Sequence, residues 1–128
     1  MLIRYKKNLE KIAMGLLSFM PEEKKDVKKL QQTIKEYETN ENWHLHLWKE
    51  EDVLGAIGVR IEDEFNAVIQ HISVNPSHRN TGIGKKMVQE IKRLYQNKYA
   101  VSTTDEIEDF YNKCTDVEEE PPTPADNQ

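Results

Sequence analysis

A junction between a strand and a helix, at residues 74–84, constrains this chain more than any other feature. The apolar alternation before it predicts a strand that stops at Pro76, and helical spacing of apolar residues after Gly84 predicts a helix. Glycines at such a junction let the backbone approach an anion, and the first turn of a helix offers unpaired N–H groups. The junction therefore predicts a phosphate-binding loop, with positive charge from Arg79 and Lys85.

The spacing of the glycines distinguishes this loop from two common nucleotide-binding loops. The Rossmann fingerprint needs a third glycine and the P-loop ends in Gly-Lys-Ser/Thr, and the sequence has neither. Arg79, Gly82 and Gly84 instead match the pattern Arg/Gln-x-x-Gly-x-Gly/Ala, preceded by Val-Asn-Pro at 74–76. This combination resembles the acetyl-CoA pyrophosphate loop of the GNAT N-acetyltransferases. An ordinary strand–loop–helix corner is the alternative, because Gly-x-Gly alone is weak evidence.

Length and composition favour a single soluble domain. The chain has 128 residues, of which 37% are hydrophobic and 32% charged, which suits one globular core. Five of its 23 acids lie in residues 116–128, and the remaining 18 equal the 18 Lys and Arg, so no basic nucleic-acid surface is expected. The sequence shows neither a membrane span nor a signal-peptide layout, and one cysteine, Cys114, fits a reducing cytoplasm.

Periodicity predicts a mixed α+β domain over residues 1–115, followed by an acidic, proline-rich tail at 116–128 that is expected to be disordered. Three consecutive strands with short polar turns between them predict an antiparallel meander. The predicted elements are a strand at 2–5, helices at 9–19 and from Pro21 to Tyr37, strands at 43–48, 53–59 and 68–74, a helix from Gly82, a strand at 99–101, and a helix after a Thr103–Glu106 capping box.

This order of elements resembles the GNAT fold through its fourth helix, which implies a central, mostly antiparallel sheet flanked by helices. GNAT domains usually add two more strands, so a short version of the fold is expected here. The strand at 99–101 would then have an unpaired edge, which favours a homodimer, although so short a strand is also compatible with a monomer. Segments 1–7, 11–21 and 71–79 further resemble a GNAT-like protein encoded with riboflavin-synthesis enzymes in some bacteria.

The same resemblance implies acetyl-CoA, or CoA, as the cofactor. The backbone of Ile72 and Val74 would pair with the pantetheine arm, aided by a bulge near Val74, and Thr104 stands where the family often has a cofactor-contacting Asn. The residues predicted to bind the cofactor are Ile72, Ser73, Val74, Arg79, Asn80, Thr81, Gly82, Ile83, Gly84, Lys85 and Thr104.

The resemblance also implies two proton-transfer groups. Tyr111, in Phe-Tyr-Asn-Lys-Cys, matches the GNAT tyrosine that protonates the CoA sulfur, with packing on the sheet as the alternative. His71 is the candidate general base because imidazole titrates near neutrality, although strand alternation favours the opposite side and water alone serves some relatives. His44 and His46 are interpreted as a surface pair, since two histidines are too few for a zinc site, and no metal is expected.

These features predict an acetyl-CoA-dependent N-acetyltransferase acting on a small-molecule or protein amine. A CoA-binding regulatory module without turnover is the main alternative, because the cofactor loop is clearer than the base. A third hypothesis is that the protein is a structural partner of riboflavin enzymes.

Overall fold

A computed structural model gives the fold of residues 1–20, 26–78, 81–105 and 107–108. Two short 3-10 turns, Lys7–Leu9 and Pro76–His78, accompany the regular elements. The elements are β1 (Leu2–Arg4), α1 (Glu10–Leu17), α2 (Val27–Thr39), β2 (Trp43–Lys49), β3 (Val53–Ile61), β4 (Asn66–Val74), α3 (Ile83–Tyr95) and β5 (Ala100–Thr103).

The five strands form one sheet in the order β1-β2-β3-β4-β5. The first four are antiparallel to their neighbours, whereas β5 runs parallel to β4, as the crossover through α3 requires. Alternate residues of β2 contact different helices: Trp43 packs on Tyr37 of α2, whereas His44 bonds to Tyr95 of α3. The predicted meander and its alternation are therefore confirmed, with α1 and α2 on one face and α3 on the other.

The core fills both faces of the sheet. On β3, residues 54–59 are all buried, because helices cover this central strand from both sides. Burial of one such aliphatic side chain contributes roughly 1.5–3 kcal/mol, so the central strands form a firm platform for β4 and the junction that follows it. The largest fully buried side chains are Leu17, Ile34, Leu45, Leu47, Ile57, Ile69, Met87, Ile91, Ile107, Val59 and Val88.

The second helix begins later than its sequence suggests. Asp26 is extended, and its side chain accepts a hydrogen bond from the Lys29 backbone N–H at 3.0 Å, so α2 begins at Val27. An Asp at this position satisfies a donor that the helix itself leaves unpaired. The start expected at Pro21 falls within 21–25, outside the described residues.

The final helix is capped one residue later than expected. Thr103 pairs with Ile69 as the last residue of β5, and the Thr104 hydroxyl accepts from the Ile107 backbone N–H at 3.4 Å. Because Thr103 pairs with β4 in the sheet, its neighbour Thr104 caps the final helix.

Some predictions fall on residues that the structure does not describe. These are the role of Tyr111, the absence of two further strands, and the disorder of the tail at 116–128. Across the described ranges, no helix combines the length and apolar character that crossing a membrane requires.

Candidate functional site

Strand β4 contains a bulge at Gln70. Gly58 of β3 pairs with His71 and Val59 pairs with Ile69, so Gln70 is an extra residue with no partner of its own on β3. The bulge expected near Val74 is not there, because Val74 pairs regularly with Gly55. The irregularity lies four residues earlier in the strand.

The bulge brings two consecutive side chains to the same side of the sheet. The Tyr37 hydroxyl lies 2.6 Å from Nδ1 of His71, and Nε2 of Gln70 donates to the same hydroxyl at 3.0 Å. Simple alternation would have placed Gln70 and His71 on opposite faces. His71 therefore faces α2, and it is 8% exposed.

Burial sets the charge of His71. Loss of solvation and, to a smaller extent, the positive charge of Lys29 together lower its pKa to about 4. Beyond Gln70, Nη1 of Arg60 donates to the amide oxygen of Gln70 at 3.1 Å. The candidate base is thus a neutral ring near pH 7, at one end of a chain of hydrogen bonds.

One edge of β4 pairs with β5 along part of its length. In the described residues, β5 pairs with β4 over Asn66–Ile69. The backbone N–H of Asn75 donates to the Leu54 carbonyl on the β3 side, at 2.8 Å. Because antiparallel bonding alternates along a strand, the N–H groups of Ile72 and Val74 point to the opposite edge. They therefore lie on the edge of β4 that pairs with β5 over Asn66–Ile69.

The amino end of α3 lies at the other end of the same region. Gly82 has φ 85° and precedes the helix, and Lys86 N–H donates to the Gly82 carbonyl as the helix begins. This left-handed conformation favours glycine. Gly82, the N-cap residue, has no side chain with which to cap α3. The Thr81 hydroxyl instead donates to the His78 carbonyl at 2.5 Å and closes the loop. A helix end of this kind favours an anion.

Two predicted cofactor residues have structural contacts of their own. Ser73 is buried, and its hydroxyl donates to the Leu16 carbonyl near the end of α1, at 2.5 Å. The Thr104 hydroxyl accepts the cap hydrogen bond described above. Ser73 thus anchors α1 to β4, and Thr104 retains a hydroxyl proton that it can donate. Of the other predicted positions, Arg79, Asn80 and Tyr111 lie outside the described residues.

Sequence reasoning missed the residues that surround His71. In the sequence, Tyr37 fits the apolar stripe of α2, and Arg60 is a polar residue that follows the predicted strand at 53–59. A Cβ at Gly58 would overlap the Tyr37 hydroxyl oxygen and lie 2.5 Å from its ring carbon Cζ. Glycine inside an otherwise apolar strand often marks such a close approach, and this was the available signal.

The two histidines of β2 form a structural cluster on the α3 face. Nδ1 of His44 and Nε2 of His46 lie 2.8 and 3.0 Å from the Tyr95 hydroxyl. Burial lowers the pKa of His46 to about 4, and His46 is 8% exposed, so the interpretation as a surface pair is wrong. The described residues contain no group of three or more His, Cys, Asp or Glu that could hold a metal ion.

Comparison with known proteins agrees with this geometry. The profile of the acetyltransferase (GNAT) family matches residues 10–114, which is most of the chain. This chain belongs to the GNAT family. A relative named as an uncharacterized N-acetyltransferase in the lysA 3' region of Bacillus methanolicus is 57% identical over 115 residues, covering 89% of this chain and 94% of the relative. The predicted enzyme class, an N-acetyltransferase, is therefore confirmed.

Solved structures show the same GNAT fold at low identity. Aminoglycoside N-acetyltransferase AAC(6')-Iy, solved in complex with CoA, is similar with a TM-score of 0.69 at 14% identity, covering 91% of this chain and 85% of that one. Aminoglycoside 6'-N-acetyltransferase AAC(6')-Ih from Acinetobacter baumannii gives 0.70 at 13% identity, with coverage of 88% and 86%. At such identities the likeness confirms the predicted fold class and says nothing about the acceptor.

Proposed function

We propose that this GNAT protein transfers the acetyl group of acetyl-CoA to an amine, on a small molecule or on a protein. The observation that carries the proposal is the amino end of α3, which begins after left-handed Gly82, shortly beyond the end of β4 at Val74. The N–H groups of Ile72 and Val74 would bind the pantetheine arm, and the helix end would bind the pyrophosphate. A GNAT structure with this fold was solved in complex with CoA, which supports the assignment.

The residues of the junction fit a pyrophosphate. Gly82 adopts a left-handed conformation and Gly84 is buried in the first turn of α3, so neither places a side chain where the anion would approach. Lys85 follows in the same turn and adds a positive charge. Cofactor binding by Arg79 and Asn80 in the same loop remains a prediction.

Acetyl transfer forms a bond between the amine nitrogen and the thioester carbonyl carbon, and it breaks the bond between that carbon and sulfur. One of the N–H groups on the β4 edge would bind the carbonyl oxygen as negative charge develops there. The amine loses a proton and the thiolate of CoA gains one. We propose Tyr111 as the group that protonates the sulfur. The role of His71 as general base stays a prediction.

A matched pair of glycine variants tests the cofactor site. Gly84→Ala should weaken CoA binding at least tenfold, because its methyl group would crowd the pyrophosphate. Gly15→Ala is the control, since a Cβ at Gly15 in α1 would meet nothing within 4 Å. Calorimetric titration of CoA into both variants and the natural protein measures the effect. Equal affinity in all three would contradict the proposed site.

Turnover is tested separately from binding. Thiol release from acetyl-CoA is followed across a panel of amines, and Tyr111→Phe should lower kcat with little change in acetyl-CoA binding. A protein that binds CoA but acetylates no amine in the panel would instead support a regulatory module without turnover.

We further propose a link to riboflavin synthesis, on the resemblance of segments 1–7, 11–21 and 71–79 to the RibT protein of riboflavin operons. We propose a cytoplasmic location because a single cysteine, Cys114, fits a reducing compartment. Amine-bearing intermediates of that pathway therefore belong in the panel, and their failure to accept acetyl while other amines react would contradict the link.

We also propose a homodimer, because a second copy would cover the edge of β5. Sedimentation at micromolar concentration, with and without CoA, tests it, and a monomer under both conditions would contradict it.

A further inference from the structure

A row of four side chains crosses the sheet on the face that α1 and α2 cover. Trp43 of β2 pairs with Arg60 of β3, and Arg60 pairs with Val68 of β4. Val68 in turn pairs with Ser102 of β5. Residues that pair across strands point to the same face, and Trp43 packs on Tyr37 of α2, which identifies that face. Arg60 therefore lies in the middle of the row, on the α2 side of the sheet.

The helices cover this row only in part. The side chain of Arg60 is 38% exposed, and Ser102, at the end of the row on β5, is exposed. On the other face of the same strands, Val59 and Ile69 pair with each other and are fully buried. Within the described residues, a small molecule therefore has access to this part of β4 and β5 from the α2 side.

The guanidinium of Arg60 points toward the bulge of β4. Nη1 donates to the amide oxygen of Gln70 at 3.1 Å. Nη2 lies 3.8 Å from Oε1 of Glu62, whose side chain is 54% exposed, so this pair is a loose one. A guanidinium presents its N–H donors in a planar fork that matches the two oxygens of a carboxylate. Arg60 can therefore bind an incoming carboxylate in place of Glu62 while Nη1 stays on Gln70.

The proposed path of the cofactor leads to the same bulge. The pyrophosphate is assigned to the start of α3, and the pantetheine arm to the N–H groups of Val74 and then Ile72. The arm would thus run along β4 away from the phosphates, and the next residues in that direction are His71 and Gln70. The thioester is at the far end of the arm and would lie near the bulge. The acceptor amine has to approach the same place.

Two cations bear on this place. The positive charge of Lys29 on α2 contributes, after the larger effect of burial, to the lowered pKa of His71. Arg60 is the second cation, and its contact with Gln70 brings it to the neighbour of His71. Positive charge here favours an acceptor that brings a negative group and disfavours one that brings a further ammonium.

We propose that Arg60 binds the carboxylate of the acceptor, so that the substrates are amines that also carry a carboxylate, such as amino acids. The proposal rests on the proposed function, because it assigns a substrate class to the same acyl-transfer site. The carboxylate would bind the guanidinium through both oxygens, and Gln70 would hold the guanidinium in place. The ring of Trp43, next to Arg60 in the row, offers an apolar surface for the carbon skeleton. These contacts would fix the amine relative to the thioester.

Pairs of amines that differ by one carboxylate test the substrate class. The pairs are glycine and methylamine, lysine and cadaverine, and tyrosine and tyramine. In at least one pair the acid-bearing member should have a kcat/KM about 10- to 100-fold higher, as a hydrogen-bonded ion pair would give. The same kcat/KM in both members of all three pairs, or a preference for the member without the carboxylate, would overturn the proposal.

Two substitutions of Arg60 assign the preference to this side chain. Arg60→Gln keeps a donor for Gln70 but removes the charge, so the preference should fall below about threefold, with the KM for acetyl-CoA changed less than about twofold. Arg60→Lys keeps the charge without the planar fork and should retain part of the preference. A preference that survives unchanged in Arg60→Gln would contradict the role of Arg60.

Product binding separates this proposal from the proposed function. CoA-loaded protein is titrated with the N-acetyl forms of the same pairs, and nitrogen NMR follows the side chains of Arg60 and Gln70. In at least one pair the acid-bearing product should shift both signals and its partner neither. Because no turnover is needed, a protein that binds these products but acetylates no amine would support the carboxylate site and contradict acetyl transfer. Equal shifts from both members of every pair, or no shift at all, would overturn the carboxylate site.

Arg93→Gln is the matched control. It also removes one partly exposed guanidinium, but Arg93 lies on α3, which covers the other face of the sheet, and pairs with Glu90 at 2.8 Å. The carboxylate preference and the product shifts should equal those of the natural protein. A loss equal to that in Arg60→Gln would show that the net charge of the protein, rather than the position of Arg60, is responsible, and it would overturn the assignment.

Discussion

Acidification from pH 7 to about 5 should cost the folded protein roughly 4 kcal/mol, through two buried histidines. Burial lowers the pKa of both His46 and His71 to about 4, whereas an unfolded histidine titrates near 6.5. Between these values the unfolded chain takes up protons that the folded chain does not. Stability is therefore fully present above about pH 6.5 and is lost as the pH falls toward 4.

The magnitude follows from the two pKa values. In the window where only the unfolded state is protonated, each histidine contributes a slope of about 1.4 kcal/mol per pH unit. Near the unfolded pKa the slope is smaller, so each contributes about 2 kcal/mol between pH 7 and 5. Their combined effect is a large fraction of the roughly 5–15 kcal/mol that stabilises a typical domain.

Urea unfolding at a series of pH values measures this slope, with two variants that keep the local hydrogen bonds. His71→Asn retains an acceptor for Tyr37, and His46→Gln retains a donor for Tyr95, but neither replacement titrates. Each variant should lose about half of the slope seen in the natural protein. The same slope in all three proteins, or no slope at all, would refute the reasoning. Measurements above pH 5 avoid the exposed carboxylates Asp63 and Glu90, whose lowered pKa values act at lower pH.

Two further substitutions test single contacts. Gly82→Ala should destabilise the fold by about 1–2 kcal/mol, because φ is 85° at this position. Gly82→Asn should lose less stability, because asparagine tolerates the left-handed conformation. Equal stability of Gly82→Ala and the natural protein in urea unfolding would contradict the left-handed backbone. Tyr95→Phe should lower the free energy of unfolding by about 1–3 kcal/mol near pH 7, because His44 and His46 lose a shared hydroxyl partner. A thermal midpoint equal to that of the natural protein would show that this cluster is not intact in solution.

The sheet was predictable because its signals are local. The alternation of β2 is visible in seven consecutive residues, and the polar turn that follows it fixes the hairpin. The phosphate loop was predictable for the same reason, since its glycines and the strand before it are contiguous. Patterns of this kind depend only on periods of 2 and 3.6 residues.

The environment of His71 was not predictable in this way. Tyr37 and His71 are 34 positions apart, and their contact depends on an extra residue at Gln70 and on the missing side chain at Gly58. A period of two assigns Gln70 and His71 to opposite faces, and only pairing with β3 shows otherwise. The start of α2 at Val27 depends on a single contact, the cap that the Asp26 side chain provides to the Lys29 N–H.

Within the described residues, β5 pairs with β4 as far as Ile69, and the proposed cofactor would join the same edge of the sheet farther along. A pantetheine arm bonded to the backbone of Ile72 and Val74 would fill a place that a polypeptide strand fills elsewhere in the fold. Occupancy would then be coupled to folding: at a free CoA concentration of about 100 times Kd, the ligand would add about 2.7 kcal/mol to the free energy of unfolding. Amide hydrogens along this edge would exchange most slowly in the loaded protein, and the lifetime of the fold would depend on the supply of CoA.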